Sequence, residues 1–248
     1  MSKVILITGA SRGIGAATAV LAAGRGYRVA VNYRADRKAA HSVVEHIERA
    51  GGRAIAIQGD VSIEADVLRM FDTTVCDLGS LDALVNNAGI LETQMRVERM
   101  SVERLQRVFA TNVIGSMLCA REAVKRMSTK HGERGGAIVN VSSMASRLGS
   151  PNEYVDYAAS KGAIDTLTIG LAKEVAAEGI RVNAVRPGLI YTDMHASGGE
   201  PGRVDRLASS VPMRRGGTAD EVAHAILWLL SDEASFVTGA FVDVSGGR

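Results

Sequence analysis

The chain has 248 residues, 46% of them hydrophobic and 23% charged, which suits one large α/β domain or two small ones with a sizeable core. A formal net charge of +2, with Lys and Arg spread along the chain, provides no global field for nucleic acid. No apolar run reaches the ~18 residues of a membrane span, and the opening apolar stretch is too short for a signal sequence, so a cytoplasmic location is expected.

Residues 4–8 read as a strand that enters Gly9-Ala10-Ser11-Arg12-Gly13-Ile14-Gly15, and a helix follows over 13–25. Glycines permit a tight turn and a close backbone approach, and the helix start offers free N–H groups at the positive end of its dipole. A pyrophosphate fits there. Gly9, Ser11, Arg12, Gly13, Ile14 and Gly15 are its expected contacts, with a plain tight turn as the competing reading. A second strand over 28–33 ends in Tyr33 and Arg34. Dinucleotide folds place near this point either an acid for a ribose 2′-hydroxyl or an Arg for a 2′-phosphate. No acid stands at the strand tip, whereas Arg34 does and Arg12 adds a second cation. NADP(H) is therefore expected over NAD(H). NAD(H) stays open because Asp36 lies only slightly beyond, and Arg34 can also be read as a plain surface charge.

Further along, helices are expected over 37–50, 64–78, 101–127, 155–178 and 219–230, and strands over 53–58, 83–86, 136–141, 181–186 and 241–244. Regular βα alternation with near-continuous apolar strands points to a single α/β domain. Its sheet is doubly wound and parallel, of about seven strands, with helices on both faces. Residues 189–217 are Gly-rich, polar and without periodicity, and longer than an ordinary connection, so they are expected to form a substrate lid. Met194, His195 and Met213 either line that lid or are ordinary loop residues. Cys76 and Cys119 lack metal spacing and read as buried reduced thiols, and none of the five histidines is assigned to a metal. Arg121, Lys125, Arg126, Lys130 and Arg134 read as a solvated helix face rather than a dock for an acidic carrier protein.

Tyr157 and Lys161 stand four apart in a helical stretch, so they share one face. A cation beside a phenol favours the phenolate and gives an acid/base suited to proton transfer at a hydroxyl or carbonyl oxygen. On that reading Lys161 lowers the Tyr157 pKa.

Taken together, these residues resemble the classical short-chain dehydrogenases/reductases over nearly the whole chain. The family's T-G-x-x-x-G-x-G is matched by Thr8, Gly9, Gly13 and Gly15, its N-N-A-G by Asn86, Asn87, Ala88 and Gly89, and its Y-x-x-x-K by Tyr157 and Lys161. The resemblance implies a Rossmann fold and an NAD(P)-dependent enzyme acting on a small alcohol or carbonyl substrate. It implies Asn112, Ser143, Tyr157 and Lys161 as catalytic residues. It adds Asp60 and Val61 at the adenine, Asn87, Ala88 and Gly89 where the cofactor crosses the sheet edge, and Pro187, Gly188, Ile190 and Thr192 at the nicotinamide. Lys161 is also implied at the nicotinamide ribose, and Asn112 as the anchor of a water. The interval from Ser143 to Tyr157 is about one residue longer than the family's commonest, which keeps Ser142 as an alternative and makes residues 147–153 a candidate specificity loop. Glucose-type dehydrogenases and 3-ketoacyl-carrier-protein reductases are the nearest flavours, and a homotetramer is implied. Competing readings are an inactive nucleotide-sensing protein of the same fold and a sugar-nucleotide epimerase or dehydratase.

Overall fold

A computed structural model describes residues 2–248. Seven strands, β1 (Val4–Ile7), β2 (Arg28–Tyr33), β3 (Arg53–Gln58), β4 (Ala83–Asn86), β5 (Gly136–Val141), β6 (Ile180–Pro187) and β7 (Phe241–Val244), form one sheet in the order β3-β2-β1-β4-β5-β6-β7. Every neighbouring pair is parallel. Parallel strands need crossovers, and the helices supply them: α1 (Gly13–Gly24), α2 (Arg37–Arg49), α3 (Glu64–Leu78), α4 (Val102–Phe109), α5 (Ser116–Met127), α6 (Ala145–Leu148), α7 (Val155–Val175), α8 (Met194–Ser197), α9 (Arg203–Leu207) and α10 (Ala219–Leu230).

Side chains alternate along a strand, so each strand feeds two cores. In β1, Ile5 and Ile7 pack with Ala19 of α1, Ile47 of α2 and Ile226 of α10. Val4 and Leu6 face the other way, onto Phe71 of α3, Met127 of α5 and Val175 of α7. This two-sided burial is why the strands read as unbroken apolar runs. The chain winds outward from β1 in both directions, which leaves a topological switch between β1 and β4, the place where open α/β sheets bind ligands.

Two expectations need correction. The helix expected over 101–127 is broken by a π-turn, Ala110–Gly115, between α4 and α5. The stretch expected as a lid, 189–217, holds α8, α9 and a short 3-10 turn. Cys119 is buried, and burial pushes its thiol up to about 12, but Cys76 is exposed on α3. Among the described residues no helix is long and apolar enough to cross a membrane.

Candidate active site

The C-terminal ends of β1, β4, β5 and β6 lie side by side and deliver Gly9, Asn87, Ser143 and Pro187 to one rim. The glycine loop is pressed against the segment after β4. Asn87 Nδ2 donates to the carbonyls of Thr8 and Gly9 at 2.9 and 3.0 Å. The Thr8 hydroxyl accepts from the amides of Asn87 and Ala88 at 2.9 and 3.0 Å. Gly9 sits at φ +62, and a Cβ there would lie 3.0 Å from Ala88 Cα. A Cβ on Gly15 would come within 2.6 Å of both Asn87 Nδ2 and the Gly9 carbonyl. Only glycine fits these two positions.

Above this loop, α1 starts with no side-chain cap and no acid in its first turn, whereas Asp36 caps α2 and Thr218 caps α10. The first N–H groups of α1 are thus open to an anion. Arg12 is exposed beside them, while Gly13 and Ile14 are half-buried. The residues present fit a dinucleotide pyrophosphate. At the end of β2, Arg34 is exposed and lies 4.0 Å from Asp60. Asp36 points elsewhere, accepting from the Ala39 amide at 2.9 Å. Tyr33, expected at the cofactor, is buried in the core beneath the rim, and Val61 is buried where Gly115 of the π-turn packs on it.

At the other end of the rim a cleft of about 140 Å³ is lined by Ser143, Tyr157 and Lys161 together with Asn87, Pro187 and Thr192. Ile14, Gly188 and Ile190 belong to the same wall. The structure separates the two serines. The Ser142 hydroxyl is buried and donates to Asp165 Oδ1 at 2.6 Å. Ser143 lines the cleft with Tyr157, and its Oγ accepts from the Ala145 amide at 3.1 Å.

Lys161 lies 5.6 Å from the centre of the Tyr157 ring, with its Nζ donating to the Val141 carbonyl at 2.7 Å. Burial lowers Lys161 to about 8, against which Asp165 pulls upward. Burial also pushes Tyr157 up to about 12, with the Ser143 hydroxyl pulling the other way. This corrects the expectation of a phenol tuned down by its lysine: in the protein alone, desolvation sets the direction for both groups, and Ser143 and Asp165 oppose it.

Asn112 is fully buried in the π-turn. Its Oδ1 accepts from the Ile90 amide at 2.8 Å, and its Nδ2 donates to the Ile90 carbonyl at 3.1 Å and to Ser160 Oγ at 3.0 Å. It therefore clamps the segment after β4 onto α7. A Cβ on Gly89 would meet Asn112 Oδ1 at 3.4 Å and Lys161 Nζ at 3.6 Å, so the missing side chain keeps the lysine approachable.

Several cleft residues escaped the sequence reading. Leu91, Met144 and Tyr154 form an apolar wall with Leu148 of the expected specificity loop, and Arg203 closes it. Arg203 pairs with Glu153 at 2.5 Å and Glu200 at 3.0 Å, partners fifty and three residues away, and only the second spacing was visible in a sequence. Met194 and His195 line the cleft, while Met213 is 60% exposed and does not. The five cations from Arg121 to Arg134 are each paired, Arg121 with Glu64, Lys125 and Arg126 with Glu122, Lys130 with Glu178 and Arg134 with Asp82. They form a neutralised face.

A family model described as enoyl-(acyl carrier protein) reductase matches residues 9–248. The uncharacterized oxidoreductase YgfF of Escherichia coli K12 is 64% identical over 245 residues, covering 99% of both chains. A 3-oxoacyl-[acyl-carrier-protein] reductase FabG of Staphylococcus aureus is 38% identical, covering 100% of this chain and 98% of its own. Among solved structures, a Serratia marcescens short-chain dehydrogenase/reductase superposes with a TM-score of 0.90 at 33% identity, covering 99% of this chain and 97% of that one. A dehydrogenase/reductase of Sinorhizobium meliloti gives 0.92 at 34%, covering 99% and 94%. The chain belongs to the short-chain dehydrogenase/reductase family of oxidoreductases.

Proposed function

We propose that this oxidoreductase interconverts an alcohol and a carbonyl with NADP(H) preferred over NAD(H), and that Tyr157 is its general acid/base. The observation that carries the reading is the convergence of Ser143, Tyr157 and Lys161 on one cleft whose wall continues into the glycine loop. When bound, a nicotinamide dinucleotide supplies or accepts the hydride. The chain's own residues handle position and proton. Ser143 shares the cleft with the phenol and holds the substrate oxygen as charge develops on it. The phenol proton, retained by burial, is poised for donation to that oxygen, which supports carbonyl reduction. Lys161 stabilises the phenolate left behind. Asn112 holds the backbone that shapes this floor.

The preference for NADP(H) rests on two placements. Arg34 stands exposed at the end of β2, and the nearby acid Asp36 is committed to the α2 cap. The test compares kcat/KM with NADPH and NADH, before and after Arg34→Ala. Preference for NADH in the wild type overturns the assignment. A panel of aldehydes, ketones, sugars, polyols and acyl thioesters, followed by nicotinamide absorbance, assigns the substrate class.

The same reading takes the chain as one cytoplasmic catalytic domain, with residues 189–217 as the lid. The Glu153–Arg203 pair supports that lid by tying it to the loop before Tyr157. It also takes the protein as a homotetramer. Support comes from exposed apolar residues along α4, the π-turn, α5 and α7: Val102 (62%), Ile114 (52%), Met117 (48%) and Ile169 (43%). Light scattering of the purified protein tests the assembly.

A further inference from the structure

Tyr157, Lys161 and Asp165 follow one another at four-residue intervals along one face of α7. The first two line the cleft and Asp165 does not. Its carboxylate is instead gripped from the sheet. Ser142 Oγ, at the end of β5, donates to Oδ1 at 2.6 Å and approaches the Lys161 carbonyl at 3.3 Å. Arg186, on β6, donates to Oδ2 through Nε at 3.0 Å. Arg186 stacks on Phe241 at 3.8 Å and lies 3.5 Å from Asp243 of β7, which also pairs with Arg147 of α6 at 3.0 Å.

Seen from Lys161, the surroundings are unequal. Tyr157 on its own helix, Asn112 and Ser160 are neutral, and β5 offers the Val141 carbonyl. The formal charges around it are Asp165 first, then Arg186 behind Asp165, then Asp243 and Arg147 beyond. An unpaired ammonium in such a site is costly, and a carboxylate one helical turn away offsets part of that cost.

We propose that Asp165 is a positioning residue for the proton-transfer pair: it occupies the Ser142 hydroxyl, which leaves that of Ser143 to serve the cleft, and its charge keeps the Lys161 ammonium charged. The lowering of Lys161 by burial, opposed by Asp165, agrees with this role. The proposal rests on the reading that Tyr157 and Lys161 carry the proton.

The test follows Lys161 itself, in full-length protein labelled with ¹³Cε-lysine and titrated by NMR between about pH 6 and 11. The Lys161 signal is the one lost in Lys161→Met. Asp165→Asn is expected to move its midpoint down by about half a pH unit, and Asp165→Glu to restore it. In carbonyl reduction, the alkaline limb of kcat moves down in step, about a twofold loss at pH 8, while KM holds. A loosened helix would instead drive the midpoint up towards the ordinary lysine value of 10.5. That rise, or an unmoved midpoint, overturns the proposal. Should Asp165→Asn fail to fold, Asp165→Ser carries the same test: the smaller neutral side chain is expected to lower the midpoint likewise, and an unmoved or higher one overturns the proposal. If Lys161→Met keeps its turnover, the underlying reading fails instead, and the titrations still report on Asp165.

Discussion

Lys161→Met is expected to stabilise the fold while removing its catalysis. The ammonium is buried, and Nζ donates to the Val141 carbonyl at 2.7 Å. A fall in pKa from 10.5 to about 8 means that burial disfavours the charged form by about 3 kcal/mol at neutral pH. The sign follows from proton counting. The unfolded chain keeps this proton up to 10.5, while the folded one releases it near 8. Between those values the unfolded state binds more protons, so stability rises with pH across the window, and below it the penalty is felt in full. Methionine removes the charge and forfeits a hydrogen bond of about 1 kcal/mol, for a net gain of about 2 kcal/mol at neutral pH. In a chain of this size that raises Tm by about 4–8 °C. Thermal and urea unfolding of both proteins, near neutrality and again at about pH 10.5, measure the effect. The gain should vanish at the higher pH. A variant less stable than wild type at neutrality, or a gap independent of pH, refutes the idea that Lys161 is held charged against its surroundings.

Ser143→Ala is expected to lower kcat by about 10²-fold or more, as loss of an oxyanion donor does, while Ser142→Ala, whose hydroxyl is turned to Asp165, should lose less than about tenfold. Steady-state kinetics on the two variants decide it, and equal losses contradict the assignment. Gly15→Ala places a Cβ 2.6 Å from Asn87 Nδ2 and the Gly9 carbonyl, so urea unfolding should show a loss of about 1–3 kcal/mol, and fluorescence titration should show weakened dinucleotide binding. Arg104 and Asp156 form a buried pair at 2.7 Å, directly before Tyr157 in the chain. Arg104→Ala strands the carboxylate and should cost about 3–5 kcal/mol in urea unfolding, and a cost below about 1 kcal/mol contradicts that view.

Most strands were legible as short apolar, β-branched runs. Residues 28–33, 53–58, 83–86, 136–141 and 241–244 match the observed strands end to end. The long helices were legible as the stretches that alternate with those runs, and the glycine loop by its place after the first strand. What escaped is tertiary in origin. The π-turn keeps the apolar pattern of the helix it interrupts, and Asn112 takes its partners from Ile90 and Ser160, 22 and 48 residues away. The helices α6, α8 and α9 have four or five residues each, too few to show a period. Tyr33 at a strand tip looked available to a ligand, yet strand alternation turns it into the core. The Tyr157–Lys161 spacing gave their shared face. Their titration depends on how completely the sheet, the π-turn and the lid remove water, and spacing does not report that.

Tyr157→Phe tests the central claim most directly, because it deletes one oxygen and leaves the ring. With the substrate found in the panel, kcat is expected to fall by about 10³-fold or more, while the Kd for NADPH stays within about twofold of wild type. Turnover near the wild-type rate in that variant would contradict the assignment of Tyr157 as the proton donor.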